Sequence, residues 1–215
     1  MRKILLTGFA PFGAETTNPS WDAVVMLDDS MLEGTHIISV QLPCEFDVSL
    51  AVLEKAIEQH RPEIVLCLGQ AGGRADMTVE RVAININDAR IPDNGGRQPI
   101  DTPVAEQGPV GYFSTLPIKA LVQALRDKGI PASVSHTAGT YVCNHVFYGL
   151  MHMLSRYPQV RAAGFVHVPY SPDQAAAYPG TASMAISTMT EAIRVMITIT
   201  LRTTQDLRIS GGITH

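Results

Sequence analysis

Glu63-Ile64-Val65-Leu66-Cys67-Leu68, closed by Gly69, is a near-continuous apolar run of strand length. A strand wetted on one face alternates apolar with polar residues, whereas an unbroken run belongs to a strand covered on both faces. Such strands sit in parallel sheets, whose neighbours are joined by crossover helices. Working outward, the chain supplies both. Upstream, residues 3–7 read as a buried strand and residues 8–18 as a loop. Asn18-Pro19 opens a helix to about residue 29, with a capping residue followed by proline at the first helical position. Residues 35–42 read as strand and 47–60 as helix. Downstream, residues 77–86 are rich in β-branched side chains and read as one strand. Residues 116–128 form a helix stopped by Gly129 and Pro131. Residues 132–136 are strand, 143–157 helix, 162–168 strand and 181–201 a closing helix. Strands separated by helices predict an α/β protein, a single-domain α/β/α sandwich over residues 1–215 with a largely parallel twisted sheet. In such sheets ligands bind beyond the carboxyl ends of the strands.

The composition agrees. A chain of 215 residues, 46% hydrophobic and 17% charged, suits one domain with a real core. The formal net charge of -4 and the absence of a basic run argue against nucleic acid or an anionic membrane as partner. No stretch reaches the ~18 apolar residues of a membrane span. The run Ile4-Leu5-Leu6 is too short for a signal-peptide core. The expected setting is soluble and cytoplasmic. The three cysteines, Cys44, Cys67 and Cys143, fit neither a C-x-x-C nor a zinc pattern, so they read as free thiols. No metal and no cofactor is expected.

One of these thiols is placed for chemistry. Ala138-Gly139-Thr140-Tyr141-Val142-Cys143-Asn144-His145 joins a strand to the start of a helix. Near a helix N-terminus the dipole favours thiolate, and the free N–H groups of the first turn can hold an oxyanion. Strand, glycine turn, nucleophile and helix follow the logic of the nucleophile elbow without its G-x-S-x-G spelling. Cys143 is in phase with the apolar stripe Val146, Phe147, Leu150, Met151 and Leu154, while His145 and His152 fall off it. A small buried hydrophobe is the other reading of the same position. Cys67, inside the apolar run, reads as structural, and Cys44, after Pro43, as a pocket-lining residue. A thiol nucleophile needs a base. His167, late in the strand before Pro169, is either a core histidine or one presented at the strand end. His36, His60 and His215 look like surface residues. Glu80, a carboxylate inside a strand, is either an orienting partner for the base, a partner of Arg81 or a solvent-facing position of the alternation. Gly69-Gln70-Ala71-Gly72-Gly73-Arg74 is neither a P-loop nor G-x-G-x-x-G.

Six segments in order then carry a resemblance: Gly8-Phe9 with Pro11-Phe12-Gly13 and Asn18-Pro19-Ser20; Gly69 to Arg74; Val79-Glu80-Arg81; Asp88-Ala89-Arg90-Ile91-Pro92-Asp93; Gly139 to Asn144; and Phe165-Val166-His167-Val168-Pro169. Over nearly the whole chain the sequence resembles the pyroglutamyl peptidase I (pyrrolidone carboxyl peptidase) family of cysteine peptidases. The resemblance implies a Glu80, Cys143, His167 triad. It implies that Arg90 supports the oxyanion or the site, that Phe9 and Phe12 stack around the pyroglutamyl ring, and that Gln70 binds the lactam through its backbone. Ile91, Tyr141 and Val142 would complete the pocket wall. Homotetramers without metal, acting on peptides with N-terminal pyroglutamate, are the family's pattern.

The chemistry so implied is a Cys143–His167 thiolate–imidazolium pair, attack on the pyroglutamyl carbonyl, and hydrolysis of a thioester. An uncharged cyclic terminus suits an apolar pocket that would leave an ordinary α-amine desolvated and unpaired. Residues 87–109, dense in Pro, Gly, Asp and Asn, read as a long irregular loop able to act as a lid. Two other classes fit the same residues: a cysteine amidase or glutaminase on a similar sandwich, and a catalytically silent α/β binding protein.

Overall fold

The computed structural model describes residues 2–212. The elements run β1 (Arg2–Phe9), α1 (Pro19–Val25), β2 (Met31–Leu32), β3 (Thr35–Leu42), α2 (Val48–His60), β4 (Ile64–Gln70), β5 (Met77–Glu80), β6 (Val82–Ile84), β7 (Gly111–Phe113), α3 (Ile118–Asp127), β8 (Ala132–Ser135), α4 (Val142–Met153), β9 (Ala162–Val168), α5 (Pro172–Ala175) and α6 (Ile186–Arg202). Seven strands form one sheet in the order β2-β3-β1-β4-β9-β5-β8, and β6 pairs with β7 in a separate ribbon. The four central strands β3, β1, β4 and β9 are parallel. β5 lies antiparallel to β9, and β8 parallel to β5, so this outer pair runs against the centre.

Period-two alternation divides the strands between two cores. Ile4, Leu6, Ile64, Leu66, Leu68, Met77, Val79, Val166 and Val168 pack on the side of α1, α3 and α6. Leu5, Phe9, Val65, Cys67, Ala163 and Phe165 pack on the side of α2 and α4. β4 and β9 are buried at every residue, as their unbroken apolar sequences require. Burying each such Leu, Ile or Val side chain is worth about 2 kcal/mol, which fixes both faces of the sheet at once.

Several expectations are corrected. Residues 77–86 are two strands in two sheets, because the Arg81 N–H bonds Ser135 and the chain then leaves to pair with β7. α1 ends at Val25 and α6 begins at Ile186, and the short α5 intervenes. α4 is buried on nearly every side, so His145, expected off the apolar stripe, is 1% exposed. His36 and His60 are half-buried, and His215 lies outside the described residues. The connection from β8 to α4 spans residues 136–141 and starts from a reversed strand, so it is not a tight nucleophile elbow.

Residues 87–109 remain irregular but are fastened. Asn87 exchanges backbone bonds with Thr102. Thr140 Oγ1 donates to the Asp88 carbonyl, Tyr141 Oη to that of Pro92, and Asn94 Nδ2 to that of Pro11. The buried Asp93 carboxylate accepts the N–H groups of Phe46 and Arg97, both at 2.8 Å. This strap covers the outer side of α4, which is why that helix is buried along most of its length, with His152 in its last turn exposed.

Candidate active site

The parallel strands β1 and β4 end at Phe9 and Gln70, beside His167 near the end of β9. Gly69 is in register with His167. Alternation turns His167 to the α4 side, since Val166 and Val168 face the other core. The antiparallel β5 sets Thr78 opposite His167. Glu80, two residues on, shares that face and reaches the imidazole on the diagonal.

The Glu80 carboxylate is fully buried, and its Oε1 lies 2.7 Å from His167 Nδ1. An ionised carboxylate only accepts, so Nδ1 carries the proton and Nε2 is left as the basic nitrogen. Arg74 Nη1 donates to the same Oε1 at 2.6 Å and to Thr78 Oγ1 at 2.5 Å. Burial by itself would raise the Glu80 pKa; the hydrogen bond and charge of His167, with Arg74, outweigh it and hold the group below its ordinary value. His167 is also lowered, chiefly by burial, with Arg74 adding to the effect and Glu80 opposing it.

Cys143 is the second residue of α4, a helix with no side-chain cap at its N-terminus. The N–H groups of its first turn are therefore open to a ligand. A Cβ on Gly69 would stand 2.8 Å from Cys143 Sγ and 2.8 Å from Phe165 Cζ, so only glycine lets the thiol settle there. Burial, then the neighbouring Cys44 and Glu80, push the Cys143 thiol pKa up, and Arg74 only partly offsets this. The lowering expected at the helix N-terminus is thus opposed by desolvation.

Cys143 and His167 line one cavity of about 160 Å³ together with Phe9, Phe12, Gln70 and Tyr141. Six of the ten residues singled out in the sequence therefore line a single cavity, with Glu80 behind His167. Arg90 is exposed, Ile91 half-buried and Val142 fully buried, and none of the three lines the cavity. Asn18, Cys44 and Ala138 complete the lining. Burial pushes the Cys44 thiol up to about 12, which leaves it inert beside the site. Larger cavities lie elsewhere, but the reactive groups converge here.

Sequence reasoning passed over Arg74. The signal was the buried carboxylate itself, which demands a cation. Arg81 is its chain neighbour but donates to the Gly211 carbonyl instead. Among the described residues no group of His, Cys, Asp and Glu is arranged to hold a metal ion, and no helix is long and apolar enough to cross a membrane.

A family model described as pyroglutamyl peptidase matches residues 2–203. The pyrrolidone-carboxylate peptidase of Klebsiella pneumoniae is 57% identical over 215 residues, covering 100% of both chains. Pyrrolidone-carboxylate peptidase 1 of Photorhabdus laumondii is 55% identical, again over 100% of both. The crystal structure of pyroglutamyl peptidase I from Bacillus amyloliquefaciens superposes with a TM-score of 0.94 at 47% identity, covering 97% of this chain and 99% of that one. Pyrrolidone carboxyl peptidase from Thermococcus litoralis gives 0.94 at 38% identity, covering 98% and 100%. The family match and these relatives make the chain a cysteine-type peptidase. The chain belongs to the pyroglutamyl peptidase family.

Proposed function

We propose that the chain removes N-terminal pyroglutamyl residues from peptides, with Cys143 as nucleophile, His167 as base and acid, and Glu80 as the group that orients His167. The convergence of Cys143, His167 and the rings of Phe9, Phe12 and Tyr141 on one small cavity supports this reading most directly. An uncharged ring fits such walls, whereas an α-ammonium would be buried without a counter-charge.

Burial disfavours the free thiolate, so attack is coupled to proton transfer. His167 Nε2 takes the Cys143 proton as sulfur bonds to the pyroglutamyl carbonyl carbon and its π electrons move to oxygen. Open N–H groups at the start of α4 stabilise that oxyanion, each donor being worth a few kcal/mol. The tetrahedral adduct collapses, the C–N bond breaks, and His167 passes its proton to the leaving amine. Water, deprotonated by His167, then cleaves the thioester and returns the thiol. Glu80 stabilises the imidazolium in both steps. Arg90 is a weaker candidate for oxyanion support, since its side chain stands outside the cavity.

Three unpaired cysteines and the family resemblance support a cytoplasmic homo-oligomer, with a tetramer as the expected form. Light scattering behind a sizing column tests the tetramer.

The test of the reaction is release of a fluorescent amine from its pyroglutamyl amide under reducing conditions, beside the glutaminyl amide. Turnover of the first alone, lost in Cys143→Ser, supports the proposal. Absence of turnover by the wild type refutes it. Preference for the glutaminyl amide would favour the amidase reading.

A further inference from the structure

Glu80 stands in the middle of a row of three side chains that crosses the sheet. β5 lies between β9 and β8. Val79 and Val134 are in register and share the core beside α3 and α6. Alternation turns their successors, Glu80 and Ser135, to the opposite face, the one that carries His167. Glu80 and Ser135 are themselves in register, on paired strands about 5 Å apart. The carboxylate thus has the imidazole on its β9 side and a hydroxyl on its β8 side.

The two oxygens of that carboxylate are unequally served. Oε1 takes both His167 Nδ1 and Arg74 Nη1. Oε2 is buried without a partner, a costly state for an ionised group. Ser135 Oγ donates to the Thr137 carbonyl at 3.0 Å and accepts the Thr137 N–H at 3.3 Å. The same carbonyl also accepts Arg74 Nη2 at 3.0 Å, so the serine proton can leave it without orphaning it. A hydroxyl turns its one proton to the strongest acceptor in reach, and a charged oxygen is a stronger acceptor than a carbonyl. Ser135 also counts among the hydrogen bonds that lower the Glu80 pKa.

We infer that Ser135 is a positioning residue whose hydroxyl turns from the Thr137 carbonyl to Glu80 Oε2 and pins the carboxylate while Oε1 holds His167. This rests on the triad of the proposed function and deepens it. A carboxylate held at one oxygen rotates about its last carbon–carbon bond and slips from the imidazole. A donor at the second oxygen blocks that rotation and favours the ionised form. Charge that forms on His167 during attack then meets a carboxylate already in place, with no reorganisation at the moment of reaction.

Ser135→Ala removes the donor. The carboxylate loses a bond made to its charged form, so the acid limb of the pH–kcat/KM profile for a pyroglutamyl amide should move up by about half a unit or more. At neutral pH kcat should fall about tenfold, with KM within about twofold. Ser135→Thr, which keeps the hydroxyl, should restore both. Arg74 holds the same Thr137 carbonyl, so the substitution is repeated in Arg74→Met. A further upward move there supports direct action on Oε2, and no further move overturns the inference. A profile that Ser135→Ala leaves unmoved also overturns it. If Ser135→Ala does not fold, judged by circular dichroism, Ser135→Cys carries the test, its weak donor giving a smaller shift of the same sign. The pH dependence of Cys143 alkylation by iodoacetamide, read by mass spectrometry, follows the same acid limb without turnover. A wild-type protein that shows this limb yet leaves the amide uncleaved refutes the substrate reading alone, and Ser135 is then judged by the alkylation limb.

Discussion

Arg74 meets Glu80 at Oε1, 2.6 Å away, on the same oxygen that His167 Nδ1 meets at 2.7 Å. The other oxygen, Oε2, is buried without a partner. One atom thus carries both the ion pair and the bond that orients the imidazole. Arg74 is the outer arm of the site, with a side chain 27% exposed.

Removing this cation by Arg74→Met should raise the pKa of both Glu80 and His167, since Arg74 lowers each. The acid limb of the pH–kcat/KM profile then moves to higher pH, and kcat/KM at neutral pH falls about tenfold. Arg74→Lys should recover most of the profile. For stability the sign follows from Glu80, whose folded pKa is depressed. Its contribution is present above the ordinary value of 4.5 and is lost as pH falls through the folded value. The variant should therefore show a smaller loss of stability on acidification. A pH profile that does not move would remove Arg74 from the site.

Gly69→Ala puts a methyl group 2.8 Å from Cys143 Sγ and from the Phe165 ring. One of them must shift. A displaced nucleophile costs on the order of 10²-fold in kcat/KM, and the crowding costs about 1–3 kcal/mol in urea unfolding. Wild-type kinetics in this variant would show that the thiol is not located by its packing on β4.

His145 is held neutral. The Asp47 N–H donates to Nε2 at 3.0 Å, and Nδ1 faces Asn87 Oδ1 at 3.0 Å. Burial lowers its pKa from 6.5 to about 4, with Asp47 opposing. The unfolded chain therefore binds a proton that the folded chain refuses across this window, and stability falls as pH drops from 6.5 toward 4. The full effect approaches roughly 3 kcal/mol. Urea titrations at pH 7 and pH 5, followed by Trp21 fluorescence, should show a smaller difference for His145→Gln. An equal difference would mean that other groups carry the acid sensitivity.

Asp93→Ala should loosen the strap over residues 87–109. The lost carboxylate leaves the Phe46 N–H without its partner, at a cost of about 1–3 kcal/mol. Phe46 sits edge-on to Tyr141 at 5.5 Å, so the cavity wall loosens with it and KM should rise several-fold. Faster hydrogen exchange confined to residues 87–109 would accompany this. A variant with unchanged KM would show that the strap does not shape the cavity.

The parts of the fold legible in sequence were those with local causes. β3 and β9 match the expected bounds residue for residue, because their apolar runs end at turn-forming residues. The reversed direction of β5 and β8 was not legible, since periodicity carries no sense of direction. Nor was the break at Arg81, which depends on a partner strand thirty residues on. The short α5 did carry a signal, Ser171-Pro172-Asp173-Gln174, a capping box with proline at the first position. Within the site, Glu80, Cys143 and His167 stood out as polar groups in apolar surroundings. Arg74 did not, because it meets Glu80, six residues on, only through the turn between β4 and β5, which periodicity does not describe.

The strap that buries α4 on its outer side also excludes salt. Counter-ions screen exposed charges over about 8–10 Å, but they do not enter a helix wrapped by protein. The body of α4 behind its cavity-facing first turn is therefore insulated, while surface pairs such as Arg202–Glu33 stand in the ionic atmosphere. The acid sensitivity set by the buried His145 should hold steady from dilute buffer to molar salt, even as the outer ion pairs fade.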